Sequence, residues 1–161
     1  MKKIALLFTT LLSFLGCVEP LDKFPDKALN DTMLTLSGQE IQFKDILQKH
    51  EGKQIVIDAW ASWCGDCIKG MPKLKALQTQ FPDAVYVFLS ADRSLERLKR
   101  AVKRYQIKGD HYFMPKGMKS DFGKSISLNW IPRYMVVDSQ GNIKLFKSVK
   151  ADDQKLIQAL Q

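Results

Sequence analysis

Two cysteines separated by two residues form the part of this chain best suited to chemistry. Cys64 and Cys67 follow an apolar run, 54–60, that has the length and composition of a buried strand. If a helix begins at the first cysteine, the unpaired backbone N–H groups of its first turn favour the Cys64 thiolate. The thiolate is the species that attacks a disulfide. The spacing therefore predicts thiol–disulfide exchange, with Cys64 as the nucleophile and Cys67 as the residue that resolves the mixed disulfide.

A zinc site or an inert structural pair is the alternative for the same two cysteines. Structural zinc takes four Cys or His ligands, and the sequence adds only Cys17, His50 and His111. Cys17 lies in a targeting segment, and the two histidines are far apart in sequence. The pattern favours redox chemistry with no metal and no other cofactor.

Asp58 is an acidic residue inside the apolar run that precedes the cysteines. Burial disfavours a charged carboxylate, so we expect the pKa of Asp58 to be raised toward neutral. A raised pKa suits proton exchange with Cys67, either directly or through water. The alternative is an acid at a strand end with its carboxylate in solvent.

The segment 58–67 resembles the active-site segment of the thioredoxin superfamily. The W-A-x-W-C-G-x-C pattern of that superfamily is matched by Trp60, Ala61, Trp63, Cys64, Gly65 and Cys67. Asp58 matches the buried acid of thioredoxins, Pro72 the proline that bends the active-site helix, and Ile131-Pro132 the Ile–cis-Pro pair. Asp66 departs from the pattern, because many thioredoxins have proline there. The resemblance covers 31–161, and the leader and N-terminal hairpin make the chain similar to the membrane-anchored TlpA/ResA-like thiol-disulfide oxidoreductases of bacterial cell envelopes.

The resemblance implies roles for the residues around the cysteines. It implies a cis peptide bond between Ile131 and Pro132 beside the sulfurs, and a Trp63 side chain that shields the disulfide and contacts substrates. Arg133 stands where threonine is common in the family. It could hold acidic substrates, stabilise the Cys64 thiolate, or be a solvated edge residue.

The function implied by the resemblance is reduction of disulfides in cysteine-containing exported proteins, with electrons supplied by a membrane or envelope donor. Two alternatives stay open. A disulfide oxidant or isomerase uses the same residues at a different potential. A non-enzymatic metal-delivery protein is the other, although the related copper chaperones use C-x-x-x-C.

The first residues read as a targeting signal. A basic start, Met1-Lys2-Lys3, precedes a mostly apolar run that ends at residue 16 and is shorter than the roughly 20 residues of a membrane span. The end of the run, Phe14-Leu15-Gly16-Cys17, resembles a bacterial lipobox, with Phe14 where leucine is usual. We therefore expect a signal peptide over 1–16, a lipid-anchored tether over 17–30 beginning at Cys17, and a periplasm-facing domain over 31–161. Ordinary cleavage and a retained short anchor are the alternatives.

Composition and net charge limit the classes of partner that this chain could bind. The chain has 161 residues, of which 45 % are hydrophobic and 26 % charged, as in one globular domain. The net charge of +8 suits nucleic acid or anionic membrane, but export and the lack of a nucleic-acid-binding motif argue against nucleic acid. The densest basic stretch, 93–104, predicts a surface helix with a solvated basic face. Contact with anionic lipid or an acidic partner is the alternative.

The elements that must position the cysteines follow from periodicity and turn residues. They are a hairpin over 31–44, a helical turn over 45–50, buried strands over 54–60 and 84–90, helices over 64–80 and 94–105, a short strand over 111–114, a weakly determined segment over 119–127, a hairpin over 134–146 and a helix over 152–160. The right-handed crossover rule pairs the two buried strands in parallel. The predicted fold is therefore α/β: a thioredoxin fold with a mixed central β-sheet flanked by helices and an extra N-terminal β-hairpin.

Overall fold

A computed structural model describes residues 21–161, which form a mixed sheet with helices around it. The elements in chain order are α1 (Asp26–Leu29), β1 (Thr32–Thr35), β2 (Glu40–Gln42), α2 (Phe43–Gln48), β3 (Ile55–Trp60), α3 (Gly65–Gln80), β4 (Val85–Ser90), α4 (Leu95–Tyr105), β5 (Asp110–Phe113), a 3-10 turn (Gly117–Lys119), α5 (Asp121–Ser125), β6 (Arg133–Val137), β7 (Ile143–Ser148) and α6 (Gln154–Leu160).

The sheet has seven strands in the order β2-β1-β5-β4-β3-β6-β7. β3 and β4 pair in parallel, as do β4 and β5, because α3 and α4 provide the crossovers that parallel neighbours need. The hairpin of β6 and β7 pairs antiparallel with β3. The hairpin of β1 and β2 extends the sheet beyond β5, also antiparallel. This arrangement confirms the predicted fold class.

Strand β3 lies at the centre of the fold, and all six of its residues are buried. It is hydrogen-bonded on both sides, to β4 and β6. A strand buried on both faces reads as a nearly continuous apolar run, which is why Asp58 stands out within it. The register places Asp58 directly opposite Tyr134 of β6.

Residues 21–30 are packed onto the domain. The ring of Phe24 lies 4.9 Å from the ring of Phe43 and 5.9 Å from that of Phe122, centroid to centroid. Ala28 in α1 is fully buried. The prediction of a tether is therefore wrong for this part of 17–30. A single helical turn is too short to show a period, and its apolar partners are distant in sequence.

The predicted signal peptide over 1–16, the lipidation site Cys17 and the remainder of the predicted tether lie outside the described residues. None of the helices within 21–161 has both the length and the apolar character needed to span a bilayer.

Candidate active site

Cys64 and Cys67 form a disulfide at the start of α3, with their Cα atoms 5.3 Å apart. Cys64 is the N-cap residue of this helix of 16 residues, and its sulfur accepts a hydrogen bond from the Cys67 backbone N–H at 3.1 Å. The Cys64 sulfur thus lies where backbone N–H groups have no helical partner and where negative charge is favoured. This is the position that the sequence predicts for a reactive thiolate.

The two sulfurs differ in what they face rather than in total exposure. In the disulfide form Cys64 is 6 % exposed and Cys67 is 2 % exposed, so both residues are buried. Cys64 nevertheless lines an open cavity of about 410 Å³, and Cys67 is not among its lining residues. A partner entering this cavity meets Cys64 first.

Two exposed tryptophans form the apolar walls of this cavity. Trp63 is 51 % exposed and Trp130 is 57 % exposed, and both line the cavity together with Cys64 and Ile131. The Trp63 indole N–H donates to the Ala91 carbonyl oxygen at 3.4 Å, which fixes the ring. We call this cavity the tryptophan groove. Large exposed apolar side chains that meet at one place mark an interaction surface.

Trp130 is a groove residue that the sequence pattern does not reveal by itself. Within the sequence, the one indication of a role is its position two residues before the predicted cis-proline. Tryptophan side chains are mostly buried on average, so the sequence does not predict an exposed ring here. Its position beside Cys64 depends on the fold of the loop between α5 and β6.

The bond between Ile131 and Pro132 is cis, as the resemblance implies. The Ile131 carbonyl oxygen lies 3.5 Å from the Cys64 sulfur. Because that sulfur belongs to a disulfide, it carries no hydrogen, and the contact is a close approach rather than a hydrogen bond. The loop before β6 therefore packs directly against the sulfur that is expected to react.

Asp58 is buried in the interior of β3, and its carboxylate is not in solvent. The residue is 2 % exposed, and its Oδ1 has no hydrogen-bond partner within residues 21–161. Burial raises the pKa of Asp58 from 3.8 to about 8, and the Tyr134 hydroxyl opposes part of this rise. The carboxyl group is therefore mostly protonated at neutral pH, as the apolar setting predicts. A role in proton exchange with Cys67 stays a prediction.

Arg133 is buried, with 1 % of its surface exposed. Its Nη1 donates to the Ile126 carbonyl oxygen at 3.2 Å, and its Nη2 to the Ser127 carbonyl oxygen at 3.3 Å. Burial lowers the pKa of this guanidinium. The interpretation as a solvated edge residue is wrong. The interpretations as a substrate or thiolate ligand are not supported either, because these donors hold the loop after α5 that carries Trp130.

Asp92 is a second buried carboxylate near the cysteines. It accepts hydrogen bonds from the Ser62 backbone N–H at 3.1 Å, the Ser62 hydroxyl at 2.6 Å and the Ser90 hydroxyl at 2.8 Å. Ser94, not Asp92, is the N-cap residue of α4. Asp92 instead holds the turn that leads into Trp63 and Cys64.

The family model and the relatives that this chain matches are all thioredoxin-like. The Redoxin family model matches residues 21–159. Thioredoxin-like protein YneN of Bacillus subtilis (strain 168) is 27 % identical to this chain over 117 residues. The match covers 70 % of this chain and 64 % of YneN, so the chain spans less than two thirds of the length of that relative. Thiol-disulfide oxidoreductase ResA of Bacillus thuringiensis subsp. konkukian (strain 97-27) is 25 % identical over 170 residues, with coverage of 96 % and 93 %.

A solved structure shares the fold. The solution structure of a candidate thiol-disulfide oxidoreductase from Bacteroides vulgatus superposes with a TM-score of 0.66 and 29 % identity. The superposition covers 80 % of this chain and 82 % of that one.

Proposed function

The chain belongs to the Redoxin family and is a thioredoxin-like thiol-disulfide oxidoreductase, and we propose that it reduces disulfides of exported proteins in the bacterial cell envelope. The observation that carries the chemistry is the Cys64–Cys67 disulfide at the start of α3. The cis-proline loop beside it brings a backbone carbonyl oxygen to 3.5 Å from Cys64, which is the nucleophile in this proposal.

The proposed reaction is two successive exchanges. The Cys64 thiolate attacks one sulfur of the substrate disulfide, forms a mixed disulfide and releases the other sulfur as a thiolate. Cys67 then loses its proton and attacks Cys64, which releases the second substrate thiolate and closes the Cys64–Cys67 disulfide. The substrate gains two electrons, and an envelope dithiol returns two electrons to the protein. We assign the proton of Cys67 to the ionised fraction of Asp58.

The charges around Cys64 support the reducing direction. A strong oxidant on this fold depends on a stabilised thiolate, since that makes its reduced form the stable one. Among the described residues lining the tryptophan groove, Asp66 is the one that carries charge, and it is negative. The guanidinium of Arg133 is hydrogen-bonded to carbonyl oxygens of the loop after α5. The start of α3 favours the thiolate, and Asp66 opposes it.

The reduction potential of the Cys64/Cys67 pair tests the direction. We expect a glutathione titration to give a value closer to that of thioredoxin, about −270 mV, than to that of DsbA, about −120 mV. Asp66→Asn should raise the potential, because it removes the negative charge beside the thiolate. A wild-type potential above about −180 mV, the level of protein disulfide isomerase, would mark the protein as an oxidant or isomerase.

Single cysteine variants test the order of events. Cys67→Ser should trap substrates in mixed disulfides through Cys64, and Cys64→Ser should trap none. Because the two cysteines differ little in exposed area, the test is which sulfur carries the partner, read by mass spectrometry of the trapped complex. Partners trapped through Cys67, or full turnover by either variant, would reverse or remove the assignment.

The envelope location rests on the basic start, the short apolar run and the Gly16-Cys17 pair. Cells grown with a radioactive fatty acid should label the wild-type chain and not Cys17→Ser, and the variant should leave the membrane fraction. A wild-type chain that carries no label and is found away from membranes would contradict lipid anchoring.

A further inference from the structure

We propose that the outer face of α4 is a docking surface for the acidic side chains of disulfide-containing substrate proteins. The inference rests on the proposed function, because the partner it identifies is the substrate of the Cys64–Cys67 pair. The surface consists of Arg97, Arg100 and Arg104, and we call it the arginine face.

The positive charge of the arginine face is not engaged in ion pairs within the described residues. The three arginines stand three and four positions apart on α4, so they lie on one side of the helix. All three are exposed, and none of them forms an ion pair with another residue of the described range 21–161. Like charges at this spacing destabilise a helix. An anionic partner would remove that repulsion.

A cavity on the arginine face extends to Ser62, close in sequence to the redox site. The three arginines line it together with Ser62, and its volume is about 410 Å³. Ser62 is hydrogen-bonded to Asp92 and stands two residues before Cys64, so its Cα is within roughly 7 Å of that of Cys64. A protein interface covers about 800 Å² on each partner. A substrate protein placed on Cys64 therefore also covers part of the arginine face.

Arginine suits carboxylates at such a surface. Its planar guanidinium donates two parallel N–H groups to one carboxylate. Exposed charges add mainly to the rate of association, and the effect decreases with salt. The arginine face should therefore select substrates by raising their association rate rather than by altering the chemistry at Cys64.

The test compares two synthetic peptides that carry the same disulfide, one flanked by Asp and Glu and the other by Lys. We expect the reduced full-length protein, in a neutral detergent at low salt, to reduce the acidic peptide with about tenfold higher kcat/KM. Arg97→Gln/Arg100→Gln/Arg104→Gln should abolish the preference, and about 0.5 M salt should diminish it. The control Lys144→Gln/Lys147→Gln/Lys155→Gln loses the same charge from exposed positions on β7 and α6 and should keep the preference.

Two further measurements separate the outcomes. Hydroxyethyl disulfide, a small neutral substrate, should react equally with wild type, the arginine variant and the lysine control. If it does not react with wild type, the proposed function itself is refuted. Equal kcat/KM for the two peptides, with normal reaction of the small disulfide, would overturn the docking surface alone. Hydrogen exchange of the full chain in phosphatidylglycerol and phosphatidylcholine vesicles checks the lipid alternative. Arginine-dependent protection of α4 only in the anionic vesicles, without a peptide preference, would assign the face to the membrane.

Discussion

Replacing Asp58 by asparagine should change how the stability of the protein depends on pH. Asp58 keeps its proton in the folded protein until about pH 8, whereas in the unfolded chain it ionises near its ordinary pKa of 3.8. Between these two values the folded state binds one more proton than the unfolded state. The free energy of unfolding therefore falls as pH rises through this window, and this contribution is constant above about pH 8.

The magnitude follows from the width of the window. One bound proton makes the free energy of unfolding fall by about 1.4 kcal/mol for each pH unit. Between about pH 5 and about pH 7.5, this carboxyl group should remove roughly 3 kcal/mol. Asparagine has nearly the same shape and does not titrate, so the variant lacks this slope. Its buried amide adds a cost that does not depend on pH, and that cost cancels when one variant is compared at two pH values.

Urea unfolding of the oxidised wild-type and Asp58→Asn proteins at both pH values measures the effect. We expect the difference in unfolding free energy, variant minus wild type, to increase by roughly 3 kcal/mol from the lower to the higher pH. Asp138→Asn, at a titratable carboxyl group in the exposed β6–β7 turn, provides the control, because its pKa is lowered by hydrogen bonds from Asn142 and lies below this range. Two parallel stability curves for wild type and Asp58→Asn would refute the reasoning, since they would mean that Asp58 is ionised in the folded protein.

Three substitutions test the residues around the cysteines. Arg133→Ala should lower the free energy of unfolding by about 3 kcal/mol, because it removes the donor to the buried Ile126 carbonyl oxygen and to the partly buried Ser127 carbonyl oxygen and opens a cavity. Arg93→Ala, at an exposed position, should change it by less than about 0.5 kcal/mol in the same urea titration. Asp92→Ala should lower the free energy of unfolding by about 2–4 kcal/mol and lower kcat/KM for disulfide reduction, since the Ser62 turn loses its acceptor. Asp92→Asn keeps one acceptor oxygen, so its losses of stability and of kcat/KM should both be smaller. Trp130→Ala should lower kcat/KM about tenfold for a disulfide peptide with apolar flanks and leave hydroxyethyl disulfide unaffected; an equal loss for both substrates would mean that Trp130 supports the reactive sulfur rather than docking.

The parts of the fold that local patterns determine could be predicted from the sequence. β3 is apolar at every position except Asp58. The hairpin of β6 and β7 surrounds a turn containing Gly141, which has a positive φ of 80°. Asp58 could be predicted as a raised-pKa carboxyl group because one acid inside a buried strand has few ways to reach water.

The parts that depend on distant contacts could not be predicted. Phe24 is a core residue only because Phe43 and Phe122 reach it from elsewhere in the chain. Arg133 has the charge of a surface residue, and nothing in the local sequence indicates that carbonyl oxygens at the end of α5 will accept its hydrogen bonds. In both cases the physical cause is a tertiary contact, which overrides local propensity.

The short separation of Cys64 and Cys67 has a consequence for the thermodynamics of turnover. A disulfide stabilises a protein chiefly by lowering the conformational entropy of the unfolded chain, and the effect decreases with the size of the closed loop. The ring here closes over a sequence separation of 3, for which the chain-entropy relation gives only about 2 kcal/mol. The seven-stranded sheet and its core can therefore keep the domain folded whether the bond is open or closed. Closing the bond while a substrate is reduced, and opening it when an envelope dithiol returns two electrons, should therefore change the stability of the fold by only this small amount.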